Sequence, residues 1–486
     1  MTGPTKYHSQ TMNHFKSRPL TSTFAASLLL SLIAYLGSVT IGKDGALYVD
    51  IARTIVNHGL ATGATRFNWI GFPALLAGLH LLTRISIEAL AYLTCALFMA
   101  GTCTLLVHLT LQRAPRAGWW IILVALAMPA FNSFRDDIIR EHGFWFFSML
   151  SIWLAYRWQE HGGWWRALLV QAAIGGAVAF RLEAVLLEFA LVLWLAPSLR
   201  ERAGWLRLVQ LCWLPLLGAA GLLLVATQLS SSRLEYYLTM LNPLQIYDDF
   251  QAIARQFAAS LQYKYSRDDA HIVVLVGVIG LISFKFMKLL GPFILPLFSS
   301  AGRQGLKQAA LAFSLPCIAA GLYFVVLLIF FFHEQFINSR YLSFLNLLLT
   351  PLAALALAHF SASHRKLAKL LLGLALLVML ANVVSFSAKK THYIEAGRWL
   401  AEHAVASDVI YYDDPRIAYY AGFGFPGNTT LTRGEAFATA SSFTYLIIEA
   451  KADEPWVQDE LQRGKMNVIT HFSNRKNETV LIIGSP

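Results

Sequence analysis

Charge is scarce in this chain. Of its 486 residues, 14% are Asp, Glu, Lys or Arg and 56% are hydrophobic, whereas soluble domains carry about 25% charged residues. The mean hydropathy is +0.53. These values exclude a chain that folds wholly in water and indicate a membrane protein with a polar appendage. Cysteine is nearly absent: Cys95, Cys103, Cys212 and Cys317 all lie in apolar runs. No CxxC or Cys/His cluster suggests zinc, and the polar C-terminal region has no cysteine from which to build a disulfide framework. GxSxG, a Walker loop and a dinucleotide fingerprint are also missing, as are internal repeats and a low-complexity tail. The net charge of +11 does not point to nucleic acid. Its basic residues fall mostly in short loops between apolar runs, the topology signal of membrane proteins.

What is present is a succession of apolar runs. The first, Leu20–Ile41, is long enough to cross a bilayer as a helix. It follows Lys6, Lys16 and Arg18 without a clear cleavage site, and so reads as a retained span rather than a signal peptide. Further runs at 86–111, 118–134, 142–158, 167–181, 182–199, 208–229, 270–290, 309–332, 341–360 and 368–388 predict about eleven spans. Trp69–Thr83 is ambiguous, being short and containing Gly71 and Pro73. If it does not cross, the N-terminus and the loops holding Arg113, Arg116, Arg157, Arg166, Arg200, Arg202, Arg207, Lys285, Lys288, Arg303, Lys307, Arg365, Lys366 and Lys369 all face the cytoplasm. Those loops hold only Glu160 and Glu201 as acids. The opposite side receives Asp44, Asp50, Glu88, Asp136, Asp137, Glu141, Glu183, Glu188, Glu235, Asp248, Asp249, Asp268, Asp269 and Glu334. Trp69–Thr83 is therefore expected to be an amphipathic or re-entrant helix on the outer surface.

The polar loop 230–270 contains two helix-like stretches, RLEYYL and the segment after Asp248. In the second, Phe250, Ile253, Phe257 and Leu261 share one apolar face. That face packs on the protein itself or lies beside a lipid substrate. After residue 388 the composition turns polar. Helices are expected at 392–403, 415–421 and 454–462, and strands at 408–412, 444–449, 466–472 and 479–484. The domains are thus a membrane region, 1–388, and a small α/β domain, 389–486, which an odd span count places outside. Asn428-Thr429-Thr430 and Asn477-Glu478-Thr479 fit glycosylation sequons, which carry no meaning in a bacterial setting.

Membrane-edge ionisable groups are functional candidates by default, and here they recur on one side. Asp44 and Tyr48, four apart, share a face if a helix starts after the first span; the alternative for Asp44 is a helix cap. Asp50, six residues on, falls on another face and serves as a control expected to tolerate Asn. Asn132-Ser133-Phe134-Arg135-Asp136-Asp137 and Arg140-Glu141 form a second polar cluster. Arg181-Leu182-Glu183 is a third. His333-Glu334-Gln335 and Arg340-Tyr341 make a fourth. The alternatives are salt-bridged loops and interfacial anchors of spans.

An acid just past the first span, with Tyr four residues later and Ala52-Arg53 following, resembles the first-loop motif of the GT-C superfamily. The pattern is most like glycosyltransferase family 39, with its bacterial aminoarabinose and protein O-mannosyl transferases. Glu141, counted back from the aromatic run Phe144–Phe147, matches the second acidic position, with Asp137 the other candidate. Arg181-Leu182-Glu183 resembles an Arg-x-Glu step, although Leu stands where Pro or Asn is common. Arg340-Tyr341 resembles the late loop whose cation faces the carrier phosphate. The resemblance implies a mainly α, polytopic GT-C-like fold and sugar transfer from a polyprenyl-phosphate carrier at the periplasmic face of the bacterial inner membrane. The acceptor is a glycan, lipid or protein. No cofactor is implied, though Asp136-Asp137 leaves a divalent metal open. No nucleic-acid partner is expected.

Sugar transfer needs a base for the acceptor proton and positive charge at the leaving phosphate. Asp44, Glu141 and Asp137 are the catalytic candidates, with Asp44 the proposed base. Tyr48, Arg135, Arg140, Arg181, Glu183, Glu334, Arg340 and Tyr341 are the substrate-binding candidates, and no residue is assigned to a metal. Arg suits phosphate because its planar fork can engage two oxygens. The competing reading is a non-enzymatic transporter or lipid flippase. Against it, the charges sit at the outer edge and no paired halves are visible.

Overall fold

The structure is a computed structural model and describes residues 18–67, 69–226, 239–240, 242–384, 389–427 and 431–484. Most of the N-terminal tail, RLEYYL, Glu235 and the sequon at Asn428 lie outside them. The chain divides into two compact units. One comprises residues 1–30, 96–135 and 140–383; the other comprises residues 31–95, 136–139 and 384–486.

Among the described residues, helices underlie every expected span. Seven helical stretches among the described residues are long and apolar enough to cross a membrane: Pro19–Gly37, Ile87–Arg113, Leu182–Arg200, Ala270–Phe298, Ser314–Glu334, Ser339–Ser363 and Arg365–Val383. Glu141–His161 and Arg202–Ala226 are of similar length but are interrupted by polar residues or proline. Trp120–Asn132 and Trp164–Phe180 are shorter. Several bounds differ from expectation for local reasons. The first helix stops at Gly37, leaving residues 38–42 irregular. The run at 118–134 breaks at Met128, which is extended because Pro129 disfavours the helical conformation of the residue before it. The run at 309–332 is divided at Phe313, so its membrane-length helix begins at Ser314.

In the first unit, Ser339–Ser363 is the central helix. Of its apolar stretch 83% is buried, against 17% for Ala270–Phe298 and 22% for Arg365–Val383. The latter two present Ile272, Val276, Leu370 and Leu377 outward, as lipid-facing helices do. Pro243–Ser260 lies on the protein rather than apart from it. Phe250 meets Phe332 edge-on at 5.1 Å, and Asp249 is 3.0 Å from His333 Nδ1. Its apolar face is thus used for packing, the first of the two readings.

In the second unit, Gly71–Thr83 has 13 residues. At 1.5 Å per residue it is about 20 Å long, short of the roughly 30 Å hydrocarbon core. It packs with Lys43–His58 through Tyr48, whose ring lies 5.6 Å from both Phe67 and Phe72. The C-terminal part carries strands β1 (Ile410–Tyr412), β2 (Tyr445–Glu449), β3 (Asn467–Ser473) and β4 (Thr479–Gly484), in the order β1-β2-β4-β3. β1 and β2 run parallel, and the other two pairings are antiparallel. Helices Thr391–His403 and Pro455–Gly464 cover the sheet. Helix Arg433–Ala438 was not expected from its pattern. It is held by a reciprocal cap between Thr432 and Glu435, a signal legible in the T-x-x-E spacing.

Candidate functional site

Residues from three distant segments meet in the first unit. Glu141 opens the helix Glu141–His161. Arg181 follows the helix Trp164–Phe180, where the backbone turns extended before the short 3-10 turn Leu182–Val185. These two helices can approach closely because Gly143 faces the Phe180 ring and Gly176 faces Phe147. A Cβ on Gly143 would come within 2.3 Å of Phe180. Small residues at a membrane helix contact serve this purpose. The approach sets Arg181 beside Glu141. Arg340 is the second residue of Ser339–Ser363, and the Asn338 side chain accepts its backbone N–H at 3.2 Å.

Arg181 Nη1 donates to Glu141 Oε1 at 2.5 Å. Its Nε donates to Glu183 Oε2 at 3.3 Å, and its Nη2 pairs with Glu183 Oε1. Arg340 Nε lies 3.0 Å from the same Glu141 Oε1. The Arg181 guanidinium also sits over the Tyr341 ring, 4.7 Å from its centre. Tyr323 donates its hydroxyl to the Tyr341 carbonyl at 2.9 Å. Two arginines and two glutamates thus form one chain of charge, backed by tyrosine. Their exposure is unequal. The side chains of Glu141 and Arg181 are 3% and 6% exposed, whereas those of Arg340 and Glu183 are 21% and 29% exposed. The inner pair is nearly closed off from solvent; the outer two form a partly open rim.

Burying so many charges is costly unless each is paired. Oε1 of Glu141 is shared between two arginines, while its Oε2, also buried, has no hydrogen-bond partner among the described residues.

The remaining candidates lie elsewhere. Arg135 is buried and donates to Asn132 Oδ1, to the Ser27 carbonyl and to the Ser27 hydroxyl. It holds helices together inside the first unit rather than standing in an outer loop. Arg140 immediately precedes the helix of Glu141. Glu334 ends Ser314–Glu334, next to the His333 that pairs with Asp249.

In the second unit, Asp44 is half-buried in the first turn of Lys43–His58. Gly42 holds the N-cap position, so Asp44 is not the cap, although a negative charge in this turn suits the helix dipole. Gly45 lets the turn press on Ile138: a Cβ there would sit 2.9 Å from that side chain. Gly42 faces Asp137, whose Oδ1 lies 3.2 Å from the place of a Cβ. The first-loop acid and Asp137 therefore belong to one local structure. Burial raises the pKa of the neighbouring Asp136, with Lys389 opposing. Tyr48 is buried among phenylalanines and packs the helix.

Asp50 is not the neutral control its spacing suggests. It is buried and paired with Arg66 at 2.7 Å, and Gly424 packs on its carboxylate. A second group of residues was missed in the sequence. Tyr420 Oη accepts the Ile41 N–H at 2.8 Å, and Tyr419 Oη donates to Glu88 at 2.6 Å and accepts from Arg53 at 3.2 Å. The segment AYYAGFGF fastens the first-loop helix. Its aromatic–glycine composition was the one available signal. Among the described residues, no group of three or more His, Cys, Asp or Glu is placed to hold a metal ion.

No protein-family model and no curated protein matches the sequence. The structure is similar to that of ArnT from Cupriavidus metallidurans in the apo state, with a TM-score of 0.60 and 13% identity. The match covers 96% of this chain and 98% of that one. The resemblance read in the short loop motifs thus holds for the architecture: the chain shares the fold of that ArnT structure, with many membrane-length helices and a small C-terminal sheet.

Proposed function

We propose that the chain is a membrane glycosyltransferase that moves a sugar from a polyprenyl-phosphate carrier to an acceptor glycan, lipid or protein at the periplasmic face of a bacterial inner membrane. One observation carries this reading. A partly open arginine, Arg340, is held by a buried Glu141 that is itself locked by Arg181 and Glu183. Such a preorganised cation suits the charge that develops on a leaving phosphate. The fold shared with ArnT, from the aminoarabinose transferases, supports it. Arg340 is the phosphate ligand. Arg181, with both edges engaged by carboxylates, acts through Glu141 as a positioning residue. Asp44 is the proposed base, with Asp137 the alternative, and no cofactor is needed.

The test is donor binding. Arg340→Ala is expected to weaken binding of a polyprenyl-phosphate sugar more than Arg340→Lys, which keeps the charge but loses the fork. Wild-type binding by both variants would reduce Arg340 to a span anchor. Sidedness has its own test. A reporter fused after Ser387 is expected to be active only on the periplasmic side. Cytoplasmic activity at that fusion would reverse the placement of Trp69–Thr83 and, with it, of Asp44.

A further inference from the structure

The helix that begins at Glu141 ends in a second polar site. Arg157, Glu160 and His161 lie in its last turns. At 1.5 Å per residue Arg157 is about 24 Å along the axis from Glu141, most of a bilayer's hydrocarbon thickness. There the end of Ile87–Arg113 meets it, and the two helices line a cavity of about 630 Å³ with Gln112, Arg113, Trp153, Tyr156 and Arg157 in its wall.

The wall is rich in donors. Arg113 lies 3.9 Å from the centre of the Tyr156 ring and gives its Nε–H to the Ala312 carbonyl at 2.9 Å. Its Nη1 is 3.8 Å from Glu160, too far for a hydrogen bond. Arg157 rests over the Trp153 ring at 5.5 Å. Trp153 Nε1 is buried with no hydrogen-bond partner among the described residues. An indole N–H can only donate, and leaving it unpaired is costly. Glu160 is the one acid in the wall and is half exposed. Two guanidinium groups, an amide and an unsatisfied indole N–H call for a ligand that offers several acceptor oxygens and negative charge.

We propose that this cavity binds the phosphate of an anionic phospholipid headgroup. The lipid source follows from position. The cavity lies at helix ends, beside apolar Leu109 and lined by Trp153 and Tyr156, ring types enriched where helices meet headgroups. Arg116 and Arg166 follow within a few residues of Arg113 and His161 along the chain, so these helix ends are basic, as surfaces that meet anionic lipid are. The inference is independent of the sugar-transfer reading, since none of these residues has a part in it.

The test is native mass spectrometry of the full chain in neutral detergent. It is titrated with phosphatidylglycerol, with phosphatidylcholine of the same acyl chains, and with inorganic phosphate. Phosphatidylglycerol is expected to bind at least about tenfold more tightly than phosphatidylcholine. Arg157→Gln is expected to weaken it about fivefold, the share of one arginine near a charged surface. Trp153→Phe keeps the ring, removes only the donor, and is expected to weaken binding as well. Equal retention of the two lipids would overturn the proposal, as would unchanged affinity in both variants. Inorganic phosphate that displaces phosphatidylglycerol at equal concentration would overturn the lipid assignment. Should Arg157→Gln not fold, Trp153→Phe decides the matter alone.

Discussion

Asp44→Asn is expected to lower turnover by roughly 10²–10⁴-fold, the usual share of general acid–base catalysis. The substitution keeps size and hydrogen bonding but cannot accept the acceptor's proton. Donor affinity is expected to change little, because the proposed phosphate ligand is Arg340, not Asp44. The geometry makes the substitution tolerable to the fold. Asp44 is half-buried and not the capping residue of its helix, so its amide leaves the N-terminal cap as it is. Asp50 does not serve as the control, since its pairing with Arg66 gives Asp50→Asn a structural cost of its own. The exposed Asp248 is the better choice. The measurement is turnover of purified protein with a polyprenyl-phosphate sugar and a suitable acceptor. Near-wild-type turnover in Asp44→Asn would sink the assignment and make Asp137 the next base to test.

Glu141→Gln is expected to have the largest effect on stability. Removing one partner from a buried ion pair costs about 3–5 kcal/mol, because the charge left behind is unpaired. Two features pull the value to the lower end, about 3 kcal/mol. Arg181 keeps Glu183, and Arg340 is partly solvated. The change is read as a fall in the thermal unfolding midpoint of the detergent-solubilised protein. A second readout separates structure from function. Donor affinity is expected to fall with Glu141→Gln, since Arg340 loses the carboxylate that aims it. Glu183→Gln, at the exposed rim, is expected to be milder on both counts. Unchanged stability and affinity in Glu141→Gln would mean that the cluster neither holds the fold nor presents Arg340.

Much of the architecture was legible because a bilayer leaves few choices. A run of about 20 apolar residues must be helical, since no water can satisfy an exposed backbone inside hydrocarbon. The strands at 410–412, 445–449, 467–473 and 479–484 were also within reach, three of them short apolar runs between polar turns and 467–473 a mixed run carried by Val468, Ile469 and Phe472. Helix ends were less so. Met128 and Phe313 interrupt runs whose hydropathy is continuous, and hydropathy does not record where a backbone turns.

The sequence by itself determined that this is a helical membrane protein whose acidic residues gather at one set of loops. It also determined which loops carry candidate chemistry, because charge near hydrocarbon is too costly to be placed without cause. Only the tertiary structure decided which of those charges meet. Glu141, Arg181 and Arg340 are separated by 40 and 159 residues of chain, yet two of them touch the same carboxylate oxygen of the third. Arg135, a further candidate in the sequence, is spent inside on Ser27 and Asn132. Asp50, chosen for its position around a helix, is held by Arg66. The physical reason is the same in each case. A side chain's role is set by burial and by the partner that neutralises it, and both come from segments far away along the chain.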